Sequence, residues 1–139
     1  MKRKMFSLTK SGEGYIDVAV MVLCSMMVIV LALNTFSFFA VKQDLDHYAK
    51  EMIKTASTNG RTAGDAIDAR IVELNADTGL TPTVTFSAAY FNSANQTVQL
   101  GDTITVTLTV QTHFRGFGVF FVPVTLTARH SGLSQRYHK

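Results

Sequence analysis

Four histidines, one cysteine and ten acidic residues are the groups of this 139-residue chain that could carry chemistry, and their spacing carries little of it. His47, His113, His130 and His138 include no His-x-x-x-His pair, the spacing that sets two imidazoles on one helix face for zinc. Asp44, Asp46 and His47 form the one dense polar group. On a helix these three point in different directions, so a solvated face is expected there, not a metal site. Cys24 has no second cysteine to pair with and lies in an apolar run, which excludes a disulfide framework and a Cys-based zinc site. Gly12-Glu13-Gly14-Tyr15-Ile16-Asp17 lacks the third glycine and the preceding strand of a dinucleotide fingerprint, and Arg115-Gly116-Phe117-Gly118 reads as a flexible loop joining two strands. Serines and threonines are abundant, with no partner base in sight. No enzyme, no cofactor and no metal are expected.

One carboxylate is out of place. Asp17 stands at the mouth of an otherwise uninterrupted apolar stretch, where an acid is costly unless paired. A solvated position among headgroups, favoured by the positive end of a helix dipole, would account for it without any function. A specific cationic partner would account for it with one.

The elements that position these residues start with a charge asymmetry. Of thirteen Lys and Arg, four (Lys2, Arg3, Lys4 and Lys10) precede Glu13 with no acid among them, and the rest of the chain is close to neutral. A nucleic-acid binder carries its cations on the folded face that meets phosphate, so no direct nucleic-acid binding is expected. From Val18 to Val41 there is no charge at all, and as a helix this run is about 36 Å long, enough to cross a bilayer core with some tilt. The basic leader places the N-terminus in the cytoplasm and everything after Val41 outside it. A cleaved secretory signal is the competing reading, but its apolar part spans roughly 7–15 residues and ends at small residues. This run is longer, and with Ala40 at −1 it would put Phe38 at −3. Phe36, Phe38 and Phe39, at the outer end of the run, are expected to be buried in a core.

Past the membrane the helical period continues through Val41, Leu45, Tyr48, Ala49, Met52, Ile53 and Ala56, with Asp44, Asp46, Lys50, Glu51 and Lys54 on the other side. Asn59-Gly60 supplies the stop, which predicts one helix of roughly 60 to 70 Å. A second helix is predicted from about Ala63 to Asn75, with Ala63, Ile67, Ile71 and Leu74 on its apolar face and Asp77-Thr78-Gly79 ending it. After Pro82 the period falls to two. Val84, Phe86, Ala88 and Tyr90 alternate with polar or small residues, as do Ile104, Val106, Leu108 and Val110 with threonines. A short strand carries Val98 and Leu100, separated from the next by Gly101-Asp102. The last strand, Val122 to His130, turns Val124, Leu126 and Ala128 inward, and Pro123 suggests a sheet edge or a bulge.

The expected fold is therefore α+β: a basic leader at 1–12, a long N-terminal helix at 13–59 that spans the membrane at 18–41, and an extracytoplasmic domain at 60–139 with a short helix and three or four antiparallel strands. The sheet must cover its apolar face, and the two helices are the only material available. The tail from Ser131 to Lys139, polar and basic, is expected to be loose.

The order of these parts resembles a type IV prepilin. A short basic leader ends in Lys10-Ser11-Gly12, an acid follows at the fifth residue after that glycine, and a long apolar helix leads to a small outer domain. The closest branch is the TadE-like minor pseudopilins of tight-adherence systems, whose glycine is followed by a Val-Glu-Phe-like stretch, here Ile16-Asp17-Val18. The strands Asp102 to Val110 and Phe121 to Ala128 are similar to the paired terminal strands of that family and of related Gram-positive families, some tied to conjugative elements. The resemblance implies cleavage after Gly12 by a membrane prepilin peptidase. It also implies other pilin-like subunits and an inner-membrane assembly platform as partners, and a non-catalytic role in a filament for secretion, adhesion or conjugative DNA transfer. Two departures stand against the pattern: Asp17 replaces glutamate at the fifth mature position, and Glu13 replaces a small or apolar first residue.

Electrostatics gives that pattern a reason. Cleavage would remove all four leader cations and expose an ammonium on Glu13 beside lipid. In a stack of staggered helices Asp17 of one subunit can neutralise the Glu13 ammonium of the next, and low dielectric strengthens the pair. The other reading of the same residues is a permanently inserted bitopic protein whose outer module binds a partner.

Overall fold

A computed structural model describes residues 13–115 and 121–139. The chain divides into two compact units, one ending at Phe36 and the other running from Ser37 to Lys139. Helix α1, Glu13–Asn59, passes through both.

In the N-terminal unit α1 is long and apolar enough to cross a membrane. Its few polar side chains satisfy their donors on the helix itself. Ser25 Oγ donates to the Met21 carbonyl at 2.8 Å, Asn34 Nδ2 to Val30 at 2.9 Å and Thr35 Oγ1 to Leu31 at 2.8 Å. Each bond removes a donor that would otherwise be unsatisfied in hydrocarbon.

In the C-terminal unit α1 turns one face to a core. Leu45, Tyr48, Ala49, Met52, Ile53 and Ala56 are all buried, the i, i+3, i+4 spacing of an amphipathic stripe. The helix stops at Gly60, whose φ of 61° is the left-handed conformation that suits glycine. The Arg61 N–H then bonds back to the Ala56 carbonyl at 3.3 Å, closing the helix end. Helix α2 is Asp65–Thr78, starting two residues later and ending three residues later than the periodicity predicts. Gly64, at φ 119°, breaks the chain ahead of it, so Ala63 lies outside the helix and is exposed. Ile67 and Leu74 are buried as expected.

Three antiparallel strands form the main sheet in the order β1-β4-β5: β1 Thr83–Ala88, β4 Thr103–Arg115 and β5 Phe121–Leu133. Its buried face carries Ile104, Val106, Leu108, Leu126 and Ala128, packed with the core residues of the two helices. The opposite face is a threonine surface, with Thr83, Thr109 and Thr127 in one row across the strands. Pro123 lies on the edge strand β5, where a missing N–H is harmless. Tyr90 does not continue β1. It opens a separate two-stranded ribbon of β2 (Tyr90–Asn92) and β3 (Thr97–Val98). Alternation identifies the face a residue takes but not the sheet it joins. Leu100 falls after β3, in the turn, and is exposed.

Two further expectations are corrected. Phe36 and Phe39 are exposed, and only Phe38 packs against the core. The tail is not loose. β5 extends to Leu133, and Ser134 is buried with its N–H on the Asp102 carbonyl at 2.8 Å and its hydroxyl on the Val98 carbonyl at 2.9 Å. Gln135 N–H reaches the Ser57 carbonyl at 2.9 Å, and His138 exchanges two hydrogen bonds with the Gln99 amide. Polarity alone predicted looseness, whereas these polar groups are the partners that the ends of β3 and α1 require.

Candidate processing and assembly site

Glu13 and Asp17 both lie on α1, four residues and about one helical turn apart. Asp17 is exposed, and from Val18 to Val41 no further charge occurs. The acid is therefore isolated: it has no cation within the apolar run to pair with. Gly12, the glycine of the expected cleavage site, lies outside the described residues.

The other polar candidates do not come together. Lys42 Nζ forms an ion pair with Asp46 at 3.1 Å, one turn on, while Asp44 and His47 are exposed. His138 places Nε2 3.1 Å from the Gly60 carbonyl. Among the described residues no group of three His, Cys, Asp or Glu could hold a metal ion.

Three polar ties that position the C-terminal unit have no clear mark in the sequence. Arg70 on α2 donates from Nη2 to Glu51 on α1 and from Nη1 to Glu73, both at 2.6 Å. The hydrogen bond from Arg70 holds the Glu51 carboxyl below the usual carboxylate range, and Glu73 and Glu51 together hold the guanidinium proton more firmly. Tyr48, buried between the helices, donates to Asn75 Oδ1 at 2.9 Å, and its burial pushes the phenol above its ordinary value. Lys42 Nζ also reaches the Thr127 carbonyl on β5 at 2.6 Å. The Arg70–Glu73 pair is readable as an i, i+3 contact, but the partners on other elements are set by packing and carry no local signal.

A helix that fits a single-pass membrane anchor, carrying a small α+β unit, defines the class of this protein. The chain belongs to the family described as "Domain of unknown function (DUF4320)", which matches residues 22–139. Neither the curated proteins nor the solved structures give a match. The matched stretch takes in most of the apolar run and the whole C-terminal unit. Gly12, Glu13 and Asp17 precede it.

Proposed function

We propose that this protein is a non-catalytic, TadE-like minor pseudopilin: a membrane-held subunit that prepilin peptidase trims after Gly12 and that joins a secretion, adhesion or conjugative filament. The basic leader stays in the cytoplasm and the C-terminal unit faces out. The observation that carries this reading is the carboxylate of Asp17, one helical turn after Glu13 on α1 and followed by no other charge before Lys42. After cleavage the α-ammonium of Glu13 would stand beside lipid, and Asp17 of a neighbouring subunit is the counter-ion that lets the pair leave water together. The same uncharged surface that lies in lipid before assembly would then pack against other helices in the filament core.

The second reading is a permanently anchored bitopic protein with an extracytoplasmic binding module. It is favoured by Glu13 itself, since a charged side chain stands where pilin-like proteins have a small or apolar first residue. Intact mass of the membrane-extracted protein, co-expressed with its own prepilin peptidase, separates the two. Loss of Met1 to Gly12 is expected. A full-length mass beside an active peptidase would reject the pilin reading and leave the anchor.

A further inference from the structure

The main sheet has two outer edges, and they are guarded unequally. On β5, Lys42 Nζ takes the Thr127 carbonyl, the Ser57 carbonyl takes the Gln135 N–H just past the strand, and Pro123 withholds a donor. Such devices keep a sheet edge from pairing with another chain. β1 has none of them. Thr83-Val84-Thr85-Phe86-Ser87-Ala88 contains no charge and no proline and runs against β4 without a bulge, and among the described residues nothing pairs with its other side.

The ladder fixes which groups that free edge presents. Ser134 N–H bonds to the Asp102 carbonyl, while the Thr127 carbonyl turns to Lys42 and so away from Thr109, the residue opposite it on β4. Along a central antiparallel strand, successive residues bond alternately to one neighbour and the other. Ile104, Val106 and Leu108 therefore bond to β5, and Thr105, Thr107 and Thr109 bond to Ser87, Thr85 and Thr83 of β1. What remains for the free edge is the N–H and C=O of Val84, Phe86 and Ala88. Their side chains are half-buried, whereas Ile104, Val106 and Leu108 on the neighbouring strand are fully buried. Beside Val84 and Phe86 an open groove of about 340 Å³, lined also by Ile67, Ile71 and Tyr90, leaves apolar space along the edge.

We infer that β1 is a homodimerisation edge, pairing antiparallel with β1 of a second copy about a two-fold axis at Phe86. A row of amide donors and carbonyl acceptors is the electrostatic complement of the same row turned by a two-fold. With Phe86 opposite Phe86, Val84 meets Ala88, and every outward group of these three residues finds a partner. Centring the pair on Thr85 would instead set Ala88 against Pro82, which has no N–H to give. The side chains agree with the backbone. On the inner face the two rings meet and valine faces alanine; on the outer face Thr85 meets Ser87, and no like charges come together. A foreign strand would have to supply the same uncharged alternation, which a second copy already carries. The pairing depends neither on cleavage after Gly12 nor on the pilin reading.

The test uses the full-length protein in detergent micelles, in a Cys24→Ser background. Directly opposed residues that do not exchange hydrogen bonds have Cα atoms about 4.5 Å apart, within the span of a disulfide. Thr85→Cys mixed with Ser87→Cys is expected to give several-fold more covalent dimer on mild oxidation than either variant alone, because each alone meets its own kind out of register. Equal yields from the three samples, or the highest yield from a single variant, would overturn the inference. Ala88→Pro removes an outward N–H and leaves the bonds to β4 in place, so the circular dichroism should be unchanged. Light scattering is expected to read a dimer for the wild type and a monomer for Ala88→Pro. A monomeric wild type, or a dimer that persists in Ala88→Pro, would reject the β1 edge as the contact.

Discussion

Arg70 is the residue on which the two helices of the C-terminal unit are tied, and its energetics follow from its exposure. With both ion pairs partly open to water, each contributes about 0–1 kcal/mol, so Glu51→Gln is expected to lower stability by no more than that. The pH dependence has a definite sign. Because the folded-state carboxyl is held below its unfolded value, the contribution of Glu51 is complete above the ordinary carboxylate range and is lost as pH falls through the depressed folded value. Urea unfolding of the wild type and Glu51→Gln should therefore differ at pH 7 and converge in acid. A gap that widens in acid would contradict the assigned direction. Asp17 acts at the same scale with a different readout. Asp17→Ala is expected to leave membrane insertion intact, since it removes a charge from the edge of an apolar helix, but to abolish recovery of the subunit in any sheared filament fraction. Normal incorporation would remove the proposed counter-ion.

At the scale of elements, the last residues behave as part of the fold. Removing 134–139 deletes the Ser134, Gln135 and His138 bonds and uncovers the carbonyls of Val98, Gly60 and Ser57. A loss of about 1–3 kcal/mol is expected, read as a lower thermal midpoint of the detergent-solubilised protein. An unchanged midpoint would show the tail to be dispensable. This element also marks how far the sequence could be read. The stripe from Leu45 to Ala56 and the alternation from Ile104 to Val110 announced a helix and a strand because burial writes a period into the residue types. Glycine punctuation announced the stops at Gly60 and Gly79. The tail, the Tyr90 ribbon and the Arg70 and Lys42 ties were not legible, since they depend on hydrogen bonds between residues far apart in the chain. Phe36 and Phe39 show the converse: an apolar ring declares that it avoids water, not whether lipid or protein will cover it. Of the candidate site, the lack of any further charge between Asp17 and Lys42 was plain from charge spacing alone, and α1 adds the one-turn separation of Glu13 and Asp17.

At the scale of the whole molecule, the two units have different sources of stability. The C-terminal unit depends on one core shared by both helices and the sheet, so Leu108→Ala, at a fully buried position, is expected to cost about 2–5 kcal/mol. The helix through the N-terminal unit fits a membrane anchor, and in a bilayer an apolar solvent that satisfies none of its backbone groups leaves the helix as the only stable form. Heating the protein in micelles should melt the strand signal cooperatively while part of the helical circular dichroism persists. Simultaneous loss of both would show that the units unfold as one.

Within the C-terminal unit Lys42 is tied to Thr127 and, further along both elements, Ser57 to Gln135, so α1 and β5 run in the same direction there, which bears on how this small unit resists being pulled. Tension along the rod tries to slide helix past strand, and the ties at Lys42–Thr127 and Ser57–Gln135 lie at separate heights along that seam. They are strained together, in shear, instead of being unzipped singly from one end. A subunit hauled out of a bilayer by its oily stalk would carry its cargo domain along intact, which is the mechanical quality that any extracted and reassembled part has to possess.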